Sequence, residues 1–222
     1  METSQTARWV GEFGRAYTDR NLLDLEDLDA LHTRNYGITR TELNQRFLAV
    51  IPSTARILEV GCNLGNQLLL LQHMGFSNLY GIEIQPSALE RARSRVPQAC
   101  LQQASAFEIP YPDAYFDLVF TSGVLIHIAP PDLPNAFTEI HRCSGAYIWG
   151  LEYYAPELAK VQYRGHDDLL WKMDYKKLYL ERFTDLELSQ CERLRYLDGD
   201  NEDLMFLLRK KRGNRTGSVR RA

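Results

Sequence analysis

One stretch of twelve residues constrains the fold more than any other part of the chain. Residues 57–68 read ILEVGCNLGNQL, an apolar segment that runs through a glycine turn into a helical pattern. Gly61 and Gly65 flank the turn, and Glu59 precedes it. Glycine lets the backbone approach a ligand closely, and a helix N-terminus presents unpaired N–H groups. The stretch therefore predicts a strand, a ligand-binding turn and a helix.

A second acidic residue follows the turn at a distance typical of nucleotide sites. Glu83 lies in the segment LYGIEI, 22 positions after Gly61. A carboxylate at the tip of the neighbouring strand can accept hydrogen bonds from both hydroxyls of a ribose. We expect Glu83 to bind the sugar and Ile84 to line the same pocket.

The glycine spacing indicates which cofactor binds. A dinucleotide site usually has three glycines in the pattern GxGxxG, whereas this turn has two spaced GxxxG, with Asn63 and Asn66 at the other positions. S-adenosylmethionine has no phosphate, and its ammonium and carboxylate suit backbone groups, Glu59 and the two Asn side chains. We therefore predict S-adenosylmethionine as the cofactor. The alternative is a nicotinamide-dependent oxidoreductase on a similar sheet.

Composition restricts the class of protein. The 222 residues are 45% apolar, which suits one domain with a substantial core. There is no run of 18 apolar residues and no leader-like segment, so we expect a cytoplasmic protein that makes no membrane contact. The four cysteines lack the close spacing of zinc sites, so no metal is expected. Cys62 lies in the glycine turn, where we interpret it as a packing residue beside the cofactor and not as a nucleophile.

Charge is distributed unevenly along the chain. The net charge is −3, yet residues 209–222 carry seven basic residues and no acidic one. The preceding residues are therefore acidic, which argues against an enzyme that tracks nucleic-acid phosphates. We predict a disordered basic tail over 209–222, either a solubilising end or a contact for an anionic partner.

The order of hydrophobic segments predicts an α/β fold. Residues 1–36 look helical, with Trp9, Phe13 and Tyr17 on one face, and residues 39–50 form a second helix. Strands and helices then alternate, which indicates a parallel sheet with helices on both faces. The predicted strands are 56–60, 79–84, 99–103, 116–121 and 146–151, and the predicted helices are 66–74, 86–95, 131–143 and 169–182. Residues 153–165 read as a loop or short helices, and residues 186–197 and 203–209 read as a final antiparallel pair.

A third segment of interest follows the predicted strand 116–121. It contains Ser122 and His127 in the motif SGVLIHI. Ligands of open parallel sheets lie beyond the carboxyl ends of the strands. We therefore expect both residues near the crevice that holds Gly61 and Glu83.

This series of elements resembles the class I S-adenosylmethionine-dependent methyltransferases, with a Rossmann-like, seven-stranded, mostly parallel sheet. The resemblance implies that residues before the fourth strand contact adenine. Ser105 stands where an Asp is usual, and Ala106 and Phe107 would flank the ring. The replacement of that Asp keeps open a catalytically silent, cofactor-binding regulatory protein.

Both ends of the chain resemble a narrower family. Residues 13–21, FGRAYTDRN, and the run EYYAPELAKVQYRGHDDLLWKMDY at 152–175 are similar to the pseudaminic acid biosynthesis-associated methylases. The resemblance implies a small polar metabolite or sugar as acceptor and leaves a peptide acceptor open. A cap that carries Arg164 suggests a zwitterionic, amine- or carboxylate-bearing substrate methylated at N or O. We therefore predict an N-terminal helical lid at 1–36, a methyltransferase domain at 37–208 with a substrate cap at 152–182, and the basic tail at 209–222. Monomer and homodimer both stay open.

Within this scheme, several polar residues are candidates for the chemistry. Arg164 is the preferred anion anchor, because its guanidinium can hold a carboxylate through two hydrogen bonds. Structural alternatives exist for His127 as a hydrogen-bonded strand end, for Lys172 and Asp174 as a solvated helix face, and for Asn21 as a helix cap. The candidates for base or orienting group are His127, Glu152 and Tyr153; for substrate binding Tyr154, Arg164, His166, Lys172 and Asp174; and for cofactor contacts from the lid Tyr17, Arg20 and Asn21.

Overall fold

The computed structural model describes residues 3–211, with the exception of the Ser4 side chain. Four helices precede the first strand: α1 (Ser4–Val10), α2 (Glu12–Arg20), α3 (Leu25–Tyr36) and α4 (Arg40–Leu48). Gly11 separates α1 from α2. The Asp24 side chain caps α3 by accepting a hydrogen bond from the Asp27 N–H at 2.8 Å. The helical character expected for 1–36 is therefore divided among three helices.

Within residues 3–211, nine strands and four further helices follow α4. The strands are β1 (Arg56–Val60), β2 (Asn78–Glu83), β3 (Cys100–Gln103), β4 (Phe116–Ser122), β5 (Ser144–Tyr153), β6 (Ala159–Lys160), β7 (Trp171–Lys172), β8 (Leu186–Arg195) and β9 (Glu202–Lys210). The helices are α5 (Asn66–His73), α6 (Pro86–Arg95), α7 (Leu133–Cys143) and α8 (Tyr175–Arg182). A single 3₁₀ turn, Leu125–His127, follows β4.

Seven strands form the main sheet, in the order β3-β2-β1-β4-β5-β9-β8. The first five of these are mutually parallel. β9 lies antiparallel to both β5 and β8. The predicted seven-stranded, mostly parallel sheet is confirmed.

Two apolar clusters cover the two faces of the sheet. Successive side chains of a strand point to opposite faces. Leu58 and Val119 accordingly lie in one cluster and Ile57 and Leu118 in the other, and all four are fully buried. Burial on both faces is what a parallel sheet covered by helices requires.

The prediction of one helix over 169–182 was wrong for its first part. Leu169, Leu170 and Trp171 are consecutive and all buried, which one face of a helix does not permit. Trp171–Lys172 instead pairs with Ala159–Lys160. The Asp174 side chain accepts a hydrogen bond from the Lys177 N–H at 2.9 Å, so α8 begins after it.

The tail boundary also differs from the expectation. β9 continues through Arg209 and Lys210, and the Lys211 N–H donates to the Asp185 carbonyl oxygen at 2.7 Å. The remainder of the predicted basic tail, 212–222, lies outside the described residues.

Candidate active site

A cavity of about 350 Å³ lies beyond the carboxyl ends of the central strands. Its volume lies in the range of small-molecule sites, about 300–1,000 Å³. The wall includes Gly61, Glu83, Ser122 and His127, so the three strand tips expected to converge do so. Side chains of α1 to α4 complete the enclosure.

The turn between β1 and α5 has a backbone that requires glycine. Gly61 and Gly65 both have φ +72°, and Asn63 has φ +46°. A Cβ on Gly61 would lie 2.8 Å from a Val124 methyl group, and one on Gly65 would lie 2.9 Å from a Val96 methyl group. The sequence therefore adopts this turn because the glycines remove both the backbone strain and the clash.

Glu83 ties the turn to the end of β2. One carboxylate oxygen, Oε2, accepts a hydrogen bond from the Asn63 N–H, and Oε1 accepts one from the Gln85 N–H, each at 2.9 Å. Burial raises the pKa of Glu83, and the two backbone N–H groups oppose that rise. A carboxylate oxygen has two lone pairs, so each oxygen can still accept a hydrogen bond from a ligand.

Three buried acceptor atoms on this part of the wall have no hydrogen-bond partner among the described residues. They are Glu59 Oε2, Asn63 Oδ1 and Gln67 Oε1. Desolvation raises the pKa of Glu59 well above its ordinary value, although nearby Arg40 opposes the rise. Unpaired buried acceptors carry a free-energy penalty, which a ligand with several N–H or O–H donors would remove.

The loop before β4 supplies another wall. Ser105, Ala106 and Phe107 all line the cavity. The Ser105 hydroxyl oxygen accepts a hydrogen bond from the Phe107 N–H at 3.2 Å. The Ala104 N–H donates to the Glu83 carbonyl oxygen at 3.1 Å, which fixes this loop beside β2.

The first two helices, α1 and α2, form a cover that we call the lid helices. The Trp9 ring lies 5.2 Å from the rings of both Phe13 and Tyr17 and 4.5 Å from the ring of His127. The Gln85 side chain donates to the Trp9 carbonyl oxygen at 3.0 Å. The aromatic cluster expected from the sequence therefore forms across the break at Gly11. Trp9 and Tyr17 line the cavity, whereas Phe13 does not lie on the described wall.

Other predicted cofactor contacts divide into two groups. Tyr17, Asn21, Cys62, Asn66 and Ile84 line the cavity, and the Asn66 side chain donates to the Asn21 carbonyl oxygen at 2.8 Å. Burial raises the pKa of Tyr17 to about 12, so its hydroxyl keeps its proton at neutral pH. Arg20 and Gly65 do not lie on the wall as the structure describes it.

The three catalytic candidates have different surroundings. Tyr153 lies on the wall. His127 also lies there, and its Nδ1 donates to the Leu169 carbonyl oxygen at 2.7 Å, so Nε2 is left as an acceptor. Burial lowers the pKa of His127 to about 4.

Glu152 differs from both because it lies behind the wall. Its two oxygens accept hydrogen bonds from the N–H groups of Val124 at 3.2 Å and Ile126 at 3.4 Å. Burial raises the pKa of Glu152 to about 7. Its contacts support the turn after β4.

The predicted substrate-binding residues have local partners away from the wall. Asp174 caps α8, Lys172 Nζ donates to the Asn201 side chain at 2.5 Å, and the Tyr154 hydroxyl accepts from Arg193 at 2.6 Å. Arg164 lies in a tight turn with φ +50°, and His166 packs 5.4 Å from the ring of Phe13. The described wall contains none of these five side chains, so the structure does not bring them to the cavity.

Sequence reasoning missed several polar residues on the wall: the buried residues His32, Arg40, Gln67, Gln85 and Asp203, and the half-buried Tyr36. The Tyr36 hydroxyl donates to Asp203 Oδ2 at 2.5 Å. Arg40 is 1% exposed, and its Nε donates to the Asn44 side chain at 2.9 Å. Burial lowers the pKa of Arg40 to about 10, which still leaves it charged at neutral pH. A weak signal existed for Asp203, an acidic residue placed directly before the apolar run LMFLL.

Comparison with known proteins bears on this geometry. Residues 58–147 match the family model described as "Methyltransferase domain". That segment contains the glycine turn, Glu83, the 104–107 loop and His127. A methyltransferase of Synechocystis whose role is uncharacterized is 34% identical over 95 residues, which cover 43% of this chain and 44% of that protein. The match spans less than half of the length of this and the next curated relatives.

Solved structures with the same fold extend over more of the chain. The 1,6-didemethyltoxoflavin-N1-methyltransferase of Burkholderia thailandensis has a TM-score of 0.70 at 15% identity, covering 93% of this chain and 88% of that one. The geranyl diphosphate C-methyltransferase of Streptomyces coelicolor has a TM-score of 0.71 at 12% identity, covering 94% and 98%. The fold is the Rossmann-like fold of class I methyltransferases.

Two further findings concern the described residues alone. No helix among residues 3–211 has the length and apolar character needed to cross a membrane. Within the same residues, no group of three or more His, Cys, Asp or Glu side chains is arranged to hold a metal ion.

Proposed function

We propose that this protein is an S-adenosylmethionine-dependent methyltransferase that acts on the N or O atom of a small polar acceptor. The observation that carries the proposal is the set of buried, unpaired acceptor atoms beside the glycine turn: Glu59 Oε2, Asn63 Oδ1 and Gln67 Oε1. The match of residues 58–147 to a methyltransferase domain supports it.

The residues present fit this cofactor. Its ammonium and ribose hydroxyls are hydrogen-bond donors, which the unpaired oxygens and the Glu83 carboxylate can accept. Ser105, Ala106 and Phe107 would contact the adenine, and Tyr17, Asn21 and Asn66 would close over the amino-acid end. When bound, the cofactor supplies a methyl group on a positively charged sulfur that departs as a neutral thioether.

Positioning is the main contribution that the protein has to make. Holding an acceptor in line with the methyl group can supply about 7–11 kcal/mol, whereas a general base contributes about 10²- to 10⁴-fold in rate. The cavity under the lid helices suits this task because it offers walls from both the strand tips and the lid helices for positioning a ligand.

Parts of the proposal rest on the sequence resemblance alone. These are the link to the pseudaminic acid biosynthesis-associated methylases and an acceptor in a biosynthetic pathway. The cytoplasmic location is a separate expectation from the sequence composition. We keep His127, Tyr153 and Glu152 as candidates for base or orienting group. Tyr154, Arg164, His166, Lys172 and Asp174 would need the cap to rearrange before they could meet an acceptor, because they lie away from the wall.

Cofactor choice is tested by thermal shift and calorimetry with S-adenosylhomocysteine and with NADH. We expect S-adenosylhomocysteine to raise the melting temperature and NADH to leave it unchanged. Stabilisation by NADH without a response to S-adenosylhomocysteine would favour the oxidoreductase. Binding of S-adenosylhomocysteine without labelled methyl transfer into any acceptor pool would favour a silent regulatory protein.

A further inference from the structure

The cavity has two halves that different strands support. The cofactor half consists of the 61–65 turn, Glu83 and the 104–107 loop, over β1 and β2. The acceptor half consists of His32, Tyr36, Arg40, Tyr153 and Asp203. In the sheet order β4 separates β1 from β5 and β9, which carry Tyr153 and Asp203. A ligand held over β1 and β2 therefore leaves the acceptor half open to a second molecule.

The side chains of the acceptor half are joined into one cluster. The Tyr36 ring lies 5.2 Å from the ring of His32, and its hydroxyl donates to Asp203 Oδ2 at 2.5 Å. Tyr153 lies directly opposite Asp203 in the pairing of β5 with β9. The Tyr196 hydroxyl is hydrogen-bonded to those of Tyr36 and Tyr153. These contacts fix the position of the Asp203 carboxylate.

Two buried atoms of this cluster lack a hydrogen-bond partner among the described residues. They are Asp203 Oδ1, in a residue that is 5% exposed, and His32 Nδ1, in a residue that is 7% exposed. Burial lowers the pKa of His32 to about 3, so its ring is neutral and one ring nitrogen is an acceptor. Leaving such atoms unpaired carries a free-energy penalty, which a ligand that donates hydrogen bonds would remove.

Other carboxylates near the cavity lie in the cofactor half or behind the wall. Both oxygens of Glu152 accept backbone N–H groups behind the wall. Both oxygens of Glu83 hold the glycine turn and the start of α6. Glu59 has a free oxygen but lies in β1, within the cofactor half. Asp203 is left as the carboxylate of the acceptor half.

We propose, as an extension of the function proposed above, that Asp203 Oδ1 binds and deprotonates the N–H or O–H group of the methyl acceptor. Tyr36 holds the second carboxylate oxygen. The acceptor nitrogen or oxygen forms a bond to the methyl carbon, the carbon–sulfur bond breaks, and the acceptor proton passes to Asp203. The substrate class is therefore a small molecule with an amine, amide or hydroxyl donor, and not one methylated at an unactivated C–H group.

The first test compares two isosteric variants near the start of β9. Asp203→Asn keeps the shape and the oxygen that Tyr36 needs but removes the base, and Asp200→Asn is the matched control because Asp200 is exposed. We expect Asp203→Asn to bind S-adenosylhomocysteine within about twofold of wild type by calorimetry. Labelled methyl transfer into the small-molecule fraction of a cell extract should fall by about 100-fold or more, in the range of a lost general base.

The second test does not require turnover. The protein is labelled with ¹³C at its aspartate carboxyls, saturated with S-adenosylhomocysteine and followed by NMR. It is titrated with two hydrogen-bond donors, phenol and acetamide, and with their methyl-capped analogues, anisole and N,N-dimethylacetamide. The Asp203 signal is assigned by its absence in Asp203→Asn. We expect phenol and acetamide to shift it and the two methyl-capped analogues to leave it unchanged.

The outcomes distinguish a failure of the role proposed for Asp203 from a failure of the proposed methyltransferase function. Equal transfer by Asp203→Asn and wild type, or equal shifts with donors and capped analogues, would overturn the role of Asp203 and leave the cofactor assignment standing. A large loss of S-adenosylhomocysteine affinity in Asp203→Asn would place Asp203 in the cofactor half. Failure of wild type to bind S-adenosylhomocysteine would instead overturn the proposed function. If Asp203→Asn does not fold, Tyr36→Phe tests the same role through the carboxylate's position, because it removes the hydrogen bond to Asp203 Oδ2 and keeps the base. We then expect a several-fold lower rate of methyl transfer with unchanged S-adenosylhomocysteine affinity, and an unchanged rate would overturn the role of Asp203.

Discussion

The two halves of the cavity are encoded in different ways. The cofactor half comes from 61–65, Glu83 and 104–107, three short stretches that fold locally against parallel strands. The acceptor half comes from α3, α4, β5 and β9, which lie far apart in the sequence. The domain match at 58–147 contains the first half and none of His32, Tyr36, Arg40, Tyr153 and Asp203. In our proposal, the shared segment therefore binds the cofactor, while parts of the chain outside it select the acceptor.

The largest expected effect lies in the cofactor half. Glu83→Ala removes a carboxylate that holds the N–H groups of Asn63 and Gln85 and, in our proposal, the ribose. Hydrogen bonds to charged groups contribute about 1.5–3 kcal/mol each, so we expect S-adenosylhomocysteine to bind about 100-fold more weakly or worse by calorimetry. Glu90→Ala on the exposed side of α6 is the control and should not change the affinity. Unchanged affinity in Glu83→Ala would separate this residue from the cofactor.

The next effect is a pH dependence that belongs to the acceptor half. Burial raises the pKa of Asp203 to about 6, against opposing contributions from the Tyr36 hydrogen bond, Lys172 and Arg40, and Tyr196 also faces the group. Below that pH the carboxylate is protonated and cannot accept a proton. We expect turnover at saturating cofactor to fall about tenfold per pH unit there.

The measurement is a rate profile from pH 5 to 8, with S-adenosylhomocysteine affinity followed over the same range. Asp203→Asn should show a flat acidic limb at its lower rate. The raised pKa means that Asp203 binds a proton more tightly in the folded state than in the unfolded chain. The stabilisation that protonated Asp203 gives the folded state is therefore lost as the pH rises toward about 6. An acidic limb that persists in Asp203→Asn and shifts with Glu152→Gln would assign the base to Glu152, whose pKa burial raises to about 7.

A smaller effect is expected from Glu152→Gln itself. Its carboxylate accepts the N–H groups of Val124 and Ile126 from behind the wall, and a carboxamide keeps one oxygen for them. We expect a stability loss of about 1–3 kcal/mol by chemical denaturation, as for other buried hydrogen-bond partners. Cofactor affinity and acceptor turnover should fall by similar, few-fold factors. A loss confined to kcat, with stability and cofactor affinity intact, would contradict this structural role.

The smallest effect concerns Arg164, which the sequence suggested as an anion anchor. Arg164 lies in a tight turn with φ +50° and away from the cavity wall. We expect Arg164→Ala to change the acceptor KM less than about twofold, as for most exposed surface substitutions. Arg182→Ala on the exposed end of α8 serves as the control. A tenfold rise in KM for Arg164→Ala alone would show that the cap brings this guanidinium to the acceptor.

The sequence predicted the sheet and most of the cofactor half because local rules govern both. Alternating segments imply a parallel sheet, and the glycines at 61 and 65 imply a turn whose φ angles only glycine adopts easily. The position of Glu83 followed from the parallel pairing of β1 with β2. Each inference used residues that are near in sequence or fixed by strand order.

The acceptor half was not predictable in the same way. Tyr36 and Asp203 meet only because α3 packs near the start of β9, and neither neighbourhood has a distinctive motif. Glu152 and Arg164 attracted interest because their residue types suit the chemistry, yet their positions depend on the turn after β4 and on the hairpin around Tyr163 and His166. Residue type alone did not reveal which side chains the tertiary contacts turn toward the cavity.

The reversed direction of β9 has a consequence for how such a protein can diversify. An antiparallel strand begins where its parallel neighbours end, so the first residues of β9 reach the catalytic edge although they come late in the chain. If Asp203 contacts the acceptor as we propose, the hairpin of β8 and β9, which ends the sheet on this side, also contributes to acceptor specificity. Exchanging it between relatives should alter which molecules are modified while the donor site remains intact.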